Sequence, residues 1–213
     1  MSTGKFITLE GGEGGGKSTQ ARLLATWLEA RGHKTLVTRE PGGTPLAEKI
    51  RALLLNPVDG YPDPLTEALL FNAARHDHLM RVIRPALASG AHVICDRFAD
   101  STRAYQGAGE KLDSTAIATL EQLVVTGTMP DLTLVLDLPA EVGLARVAAR
   151  HQAAGAEKDR FEIEDMTFHQ RLREAFFVIA AREPGRCALI DAQPAPDVVA
   201  AAIAEVAAAR LGL

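Results

Sequence analysis

The 213-residue chain is 47% hydrophobic, enough for one domain with a full core, since at this size a fold buries roughly 70% of the surface its unfolded chain exposes. Its 23 lysines and arginines against 27 aspartates and glutamates give a formal charge of −4, so there is no global basic field for sequence-independent nucleic-acid binding. No run of about eighteen apolar residues occurs and no signal-like segment precedes the first glycines, so neither a membrane span nor a secretory leader is expected.

In chain order, residues 5–10 (KFITLE) are a short β-branched and aromatic run that ends in glycines, and residues 18–30 carry apolar side chains at helical spacing, including Leu23, Leu24, Trp27 and Leu28. That is strand, glycine loop, helix. A second strand, 35–38, closes at REPGG, where Pro41, Gly42 and Gly43 must form a loop. Residues 46–55 and 66–88 read as helices separated by the turn-rich NPVDGYPDP. A third strand, 92–95, ends at Asp96, and a fourth, 132–136, ends at Asp137, with a helix at 114–126 between them. Residues 140–150 are helical. HQAAGAEKDR then loses all periodicity and reads as a mobile excursion. A helix over 162–181, a fifth strand at 187–190 and an alanine-rich helix over 196–210 complete the chain. Cys95 and Cys187 sit within strand-like apolar runs, where reduced, buried thiols of a cytoplasmic protein are expected.

Nearly all-apolar strands alternating with helices predict an α/β fold: a five-stranded parallel sheet with helices on both faces. In such sheets ligands lie beyond the carboxyl ends of the strands. The residues there, 11–18, 39–43, 96–106 and 137 onward, are therefore the candidates for chemistry.

Gly11-Gly12-Glu13-Gly14-Gly15-Gly16-Lys17-Ser18 fits G-x-x-x-x-G-K-[ST] and falls between a strand and a helix, as the mechanism requires. Glycines let backbone N–H groups turn inward around phosphate oxygens, the helix N-terminus adds a positive dipole end, Lys17 reaches the β- and γ-phosphates and Ser18 offers a hydroxyl to Mg²⁺. An ordinary glycine turn would not require Lys-Ser at that offset. A guanine-switch protein is disfavoured, because Asn56 and Asn72 are the only asparagines and neither begins an Asn-Lys-x-Asp base reader. A small-molecule kinase fits better.

LEGGEGGGKST, TREPGGTPLAEKIR, FNAARHDHL, CDRFADSTRAYQG, PDLTLVLDLPAEVGLAR and DRFE occur in this order over roughly residues 5–193. With these motifs the sequence closely resembles the bacterial thymidylate kinases. The resemblance implies a P-loop kinase core, an acceptor-binding region at about 39–106 and an arginine-bearing lid at about 147–161, in a homodimer that uses Mg²⁺ and takes ATP and dTMP. It implies an ATP site of residues 11–19 (Gly11, Gly12, Glu13, Gly14, Gly15, Gly16, Lys17, Ser18 and Thr19), with Arg146 bordering the adenine. Arg97 becomes a clamp between donor and acceptor phosphates, and Asp96 a partner of Mg²⁺ through water. Arg39 and Arg51 would hold the acceptor phosphate, with Glu40 as their organiser. Arg150 and Arg160 become transition-state cations of the lid. Phe71 would stack on thymine and Arg75 contact its O4. Ser101, Thr102, Tyr105 and Gln106 would line base and sugar, Tyr105 crowding a 2′-hydroxyl, and Glu13 would approach the 3′-hydroxyl.

The residues alone agree in chemistry. The acceptor's phosphate, with a second pKa near 6, is largely anionic at about pH 7 and needs no strong base, so the histidines need not be catalytic. What transfer between two phosphates does need is gathered positive charge. Two alternatives remain open from the sequence: a kinase of another nucleoside monophosphate, and a P-loop regulator without turnover.

Overall fold

The computed structural model describes residues 4–55, 60–155 and 160–213. Five strands, β1 (Phe6–Glu10), β2 (Thr35–Arg39), β3 (His92–Asp96), β4 (Leu132–Asp137) and β5 (Cys187–Asp191), form one parallel sheet in the order β2-β3-β1-β4-β5. The sheet and its helical cover are those expected. The direction of travel changes around β1: from β1 the chain passes to the edge strand β2, returns to β3 between them, then crosses β1 to β4 and β5 on the other side. The glycine loop therefore opens at the switch point, where the crevice beyond the strand ends lies.

Alternation along β1 divides the core. Ile7 and Leu9 face a cluster with Leu24 and Leu28 of α1 (Lys17–Glu29) and Val199 and Ile203 of α9 (Pro196–Leu211). Phe6 faces the other way, with Val93, Cys95 and Phe98. Thr8 and Glu10 share that second face, and both are fully buried. The Thr8 hydroxyl is satisfied by Thr133 across the β1–β4 pair at 2.8 Å.

Around the sheet run α2 (Pro45–Leu55), α3 (Pro64–His78), α4 (Arg84–Ala88), α5 (Ala99–Thr102), α6 (Ser114–Val125), α7 (Ala140–Ala154) and α8 (Met166–Arg182). Periodicity predicts one helix over 66–88. The structure starts it at Pro64, capped by Asp63, whose carboxylate accepts from the Leu65 and Thr66 N–H groups, and widens it to a π-helix at Leu79–Ile83. The wide turn immediately precedes Pro85, which has no N–H to give an i−4 carbonyl.

Three boundaries differ from expectation. Residues 99–109, read without an element, are helical: α5 runs into a π-helix at Arg103–Gly109, because glycine-rich sequence obscures the helical period. The aperiodic excursion is shorter than its composition suggests, since His151–Ala154 continue α7; residues 156–159 of the excursion, and 56–59 of the turn-rich stretch, lie outside the described residues. The helix expected from 162 begins at Met166, where Asp165 caps it by accepting from Phe168 N at 2.7 Å. Phe161–Ile163 form a separate 3₁₀ turn.

Candidate active site

Where β1 ends, the loop turns over Gly14 and Gly16, both in the left-handed region (φ +70 and +82), and Gly16 occupies the cap position of α1. Gly14 meets a second constraint. A Cβ there would lie 2.2 Å from the carbonyl oxygen of Gly143 on α7, and one on Gly143 would lie 2.3 Å from the Glu13 carbonyl. The loop and α7 thus touch backbone to backbone, and only paired glycines allow it.

The loop opens into a cleft of about 530 Å³. Of the site residues named from the sequence, all but Gly11, Gly12 and Arg160 line it. Gly11 and Gly12 contribute from beneath: their carbonyls accept from Lys17 Nζ at 3.2 and 2.7 Å. Burial and the repulsion of Arg97 bring the Lys17 ammonium down to about 8, against the pull of Glu13, Asp96 and Glu10. The Ser18 hydroxyl donates to Asp96 Oδ2, so two hard oxygen donors stand side by side at the start of α1. That donor set fits Mg²⁺, which prefers carboxylate, hydroxyl and water oxygens.

Arg97 follows Asp96 with φ 70, an unusual conformation for a side-chain-bearing residue. Its guanidinium donates to Gly11 O at 3.1 Å, Ser101 Oγ at 3.3 Å and Glu13 Oε1 at 2.6 Å. The Tyr105 hydroxyl donates to the same Glu13 oxygen at 2.6 Å, and its ring lies 4.8 Å from the guanidinium carbon. Burial alone would raise the Glu13 carboxyl, but Arg97, Lys17 and Tyr105 outweigh it and hold the group down to about 2. The cleft floor therefore carries a fixed negative charge beneath its cations.

Away from the loop, Arg39 pairs with Glu48 at 3.0 Å and Arg51 donates to Pro41 O at 3.0 Å. Glu40 is buried, accepting from Arg75 Nε at 2.8 Å and facing His78 Nδ1 at 3.0 Å. Glu40, His78 and Cys95 bring ligand-type atoms within 4.8 Å of one another, yet Arg75 and Thr38 complete their hydrogen bonds and make the group a support for the loop after β2. Arg75 also donates to Asn72 Oδ1, Phe98 O and Thr102 Oγ1. A guanidinium has five N–H donors, so these bonds leave one Nη1 hydrogen for the cleft. Phe71, four residues earlier on the same helix face, lines the cleft while packing against two parts of the core. Gln106 donates its amide to Glu67 Oε2 at 2.9 Å.

Among the arginines expected on the lid, Arg146 reaches the carbonyls after β5, at Ala192 and Gln193, both at 2.9 Å. Arg150 pairs with Glu162 at 2.7 Å and keeps its side chain more than half exposed (60%) beside the cleft. Arg160 goes elsewhere: it is buried between the carboxylates of Glu67 and Glu110 and lies over the Tyr61 and Phe161 rings. Buried acids need a cation, and these two are 93 and 50 residues away, beyond any local sequence signal. Asp137 ends β4, a position where the sequence leads one to expect chemistry. It pairs with Arg173 at 2.7 Å instead and does not line the cleft.

Sequence reading overlooked Arg22 and Glu162, which line the cleft, and Glu10, buried behind it. Glu10 carried a signal, being an acid at the end of an otherwise apolar or threonine strand.

A model of the family "Thymidylate kinase" matches residues 9–203. The chain belongs to the thymidylate kinase family. It is 58% identical over 213 residues to the thymidylate kinase of Caulobacter vibrioides, covering 100% of both chains. It is 54% identical over 205 residues to that of Chromohalobacter salexigens, covering 96% of this chain and 95% of the other. The crystal structure of thymidylate kinase from Ehrlichia chaffeensis superposes with a TM-score of 0.77 at 35% identity, over 96% of this chain and 98% of that one. Thymidylate kinase family membership extends over both the nucleotide loop and the region after β2 and β3 that completes the cleft.

Proposed function

We propose that this protein transfers the γ-phosphoryl group of ATP to dTMP, giving ADP and dTDP. The observation that carries the reading is the convergence in one cleft of the phosphate loop, the Arg97–Glu13–Tyr105 cluster and the Phe71–Arg75 helix face. In the reaction an acceptor phosphate oxygen attacks the γ-phosphorus as the bond to the β-phosphate oxygen breaks. No general base is required, because the acceptor is already largely anionic at about pH 7. The protein's task is to hold two mutually repelling phosphates in line and to stabilise the transferring charge.

Lys17 leaves the loop carbonyls to meet the β- and γ-phosphates, and Arg97 bridges donor and acceptor. Arg150, on the exposed side of the cleft, supplies a lid cation, and Arg146 borders the adenine. The pairing of Arg160 with Glu67 and Glu110 supports a role in holding the lid's base rather than in contacting phosphate. Arg39 and Arg51 face the acceptor phosphate, Phe71 stacks on the base, and the uncommitted Arg75 N–H meets its O4. Thr102 and Gln106 complete the base pocket. Ser18 and Asp96 would hold Mg²⁺, which when bound neutralises charge on the donor phosphates.

We place the enzyme in the cytoplasm, where the unpaired buried thiols Cys95 and Cys187 are at home; among the described residues no helix is long and apolar enough to cross a membrane. A homodimer is supported by the apolar side chains that α2 and α3 leave in solvent, Leu46, Leu53, Leu65 and Leu69, each 45–57% exposed. No basic nucleic-acid surface is part of this reading. Phosphorus NMR of the purified protein with ATP, Mg²⁺ and dTMP tests it. Resonances of dTDP and ADP should grow together; hydrolysis of ATP without dTDP would refute the assignment.

A further inference from the structure

Glu10 is the last residue of β1 and has no solvent exposure. An acid in such a place is unfavourable unless its oxygens are satisfied. Here they are, and every partner belongs to the segment that begins at Arg97. Oε1 accepts from the Phe98 N–H at 2.8 Å and the Ser101 N–H at 3.3 Å, and Oε2 accepts from the Ser101 hydroxyl at 2.6 Å. Phe98 stands at the cap position of α5 with no capping side chain of its own. Glu10 performs that service from a neighbouring strand.

Two consequences follow for Arg97. Its backbone is held on both sides by consecutive residues of β1: Arg97 N donates to Leu9 O at 2.9 Å, and the next N–H donates to Glu10. Those bonds pin the left-handed conformation, φ 70, that turns the side chain into the cleft. The side chain is held too. The Ser101 hydroxyl has one proton; given to Glu10, it leaves a lone pair facing Arg97 Nη1 at 3.3 Å. A neutral amide at position 10 would put an –NH₂ against that hydroxyl and turn its proton toward the guanidinium.

We infer that Glu10 is a positioning residue for phosphoryl transfer, fixing both the backbone and the hydroxyl that aim Arg97 at the phosphates. The inference rests on the reading of Arg97 as the cation between donor and acceptor. Asp100, Arg97, Lys17 and Cys95 are the ionisable groups that face Glu10. Burial, reinforced by Asp100, pushes its carboxyl up to about 7. A group raised in the fold stabilises it at low pH and ceases to do so as pH rises through the folded value. At pH 8 the ionised Glu10 is therefore a burden on stability, retained for what it positions.

The test compares Glu10→Gln, Ser101→Ala and Arg97→Ala in the full chain at pH 8, reading kcat, the dissociation constant for dTMP and the melting temperature. Glu10→Gln should lower kcat by at least about tenfold while dTMP affinity stays within about threefold, and its melting temperature should be no lower than that of the unmodified protein. Ser101→Ala, which keeps the carboxylate, should lower kcat at least about threefold with a normal fold. A Glu10→Gln enzyme with unchanged kcat, or one whose activity falls only in step with its melting temperature, overturns the inference. Should Glu10→Gln fail to fold, unchanged kcat in Ser101→Ala overturns it instead. If Arg97→Ala turns over normally, the reading of Arg97 and this inference fail together. If Arg97→Ala is crippled while Glu10→Gln is not, the role of Glu10 alone is lost.

Discussion

Arg97 and Glu13 are joined by a 2.6 Å hydrogen bond across the floor of the cleft, and neither is more than 17% exposed. The pair settles a problem that the loop sequence poses, since a carboxylate beside a phosphate site is repulsive unless a cation holds it. Glu13 is ionised down to about pH 2. It therefore orients Arg97 and Tyr105, and together the bonds to Glu13, Gly11 and Ser101 leave two of the five guanidinium N–H groups to meet phosphate.

Because the Glu13 pKa is depressed, its contribution to stability is present above the ordinary carboxylate value of 4.5 and disappears as pH falls toward 2. The shift bounds that contribution at about 3 kcal/mol. Glu13→Gln should therefore lower the melting temperature at pH 7 and lose most of that penalty by about pH 3. Paired thermal melts across this range check it. A penalty that does not change with pH would assign Glu13 a packing role.

Lys17→Ala should reduce kcat by at least about a hundredfold, because in the proposed reaction it removes a charge that stabilises the transferring group. The unmodified enzyme carries a second signature. Its Lys17 is held down to about 8 by burial and Arg97, so kcat/KM for ATP should fall as pH rises through that value. Bound phosphates favour the ammonium and should move the corresponding limb of kcat upward. The thiols do not compete for this assignment: burial pushes Cys187 up to about 11 and Cys95 well above its ordinary value. Absence of any alkaline limb in kcat/KM would remove Lys17 from the phosphates.

Phe71→Ala separates packing from binding. The ring lines the cleft but also touches the core, so a stability loss of about 1–3 kcal/mol accompanies its removal. At a temperature where the variant is folded, calorimetry should show dTMP affinity reduced at least about tenfold with ATP affinity unchanged. Equal losses for both ligands would make Phe71 a core residue only.

The motif order, the strand ends and the glycine loop were legible in the sequence because each is local: a run, a period, a fixed offset. The partners of the buried charges were not. Nothing near Arg160 announces Glu67 or Glu110, and Asp137 reads as a site residue until Arg173, from a helix 36 residues on, takes its charge. Periodicity assigns a side chain to a face of its own element but not to what that face meets. For the same reason the π-helix at Arg103–Gly109, which presents Tyr105 and Gln106, left no clear period to read.

Arg160→Met tests that distant pairing. It leaves two buried acids without their cation, a loss of about 3–5 kcal/mol when one partner of a buried pair is removed. Burial and the adjacent Glu110 push Glu67 up to about 8, and loss of the guanidinium raises it further. Below that value Glu67 accepts a proton and part of the loss is recovered; above it Glu67 stays ionised. The melting temperature of the variant should therefore fall further behind at pH 9 than at pH 6, and a deficit independent of pH would argue against the buried carboxylate pair.

Acceptor choice is decided by ADP release from the purified protein with ATP and Mg²⁺, measured at equal concentrations of dTMP, dUMP, UMP, dCMP and dGMP and with no acceptor. The fastest release should come with dTMP, with UMP and dGMP far behind, because the roles proposed for Phe71, Arg75 and Tyr105 favour a deoxyribosyl pyrimidine. Release driven best by another acceptor would keep the phosphate chemistry and overturn those three roles, and no release with any acceptor would contradict the kinase itself.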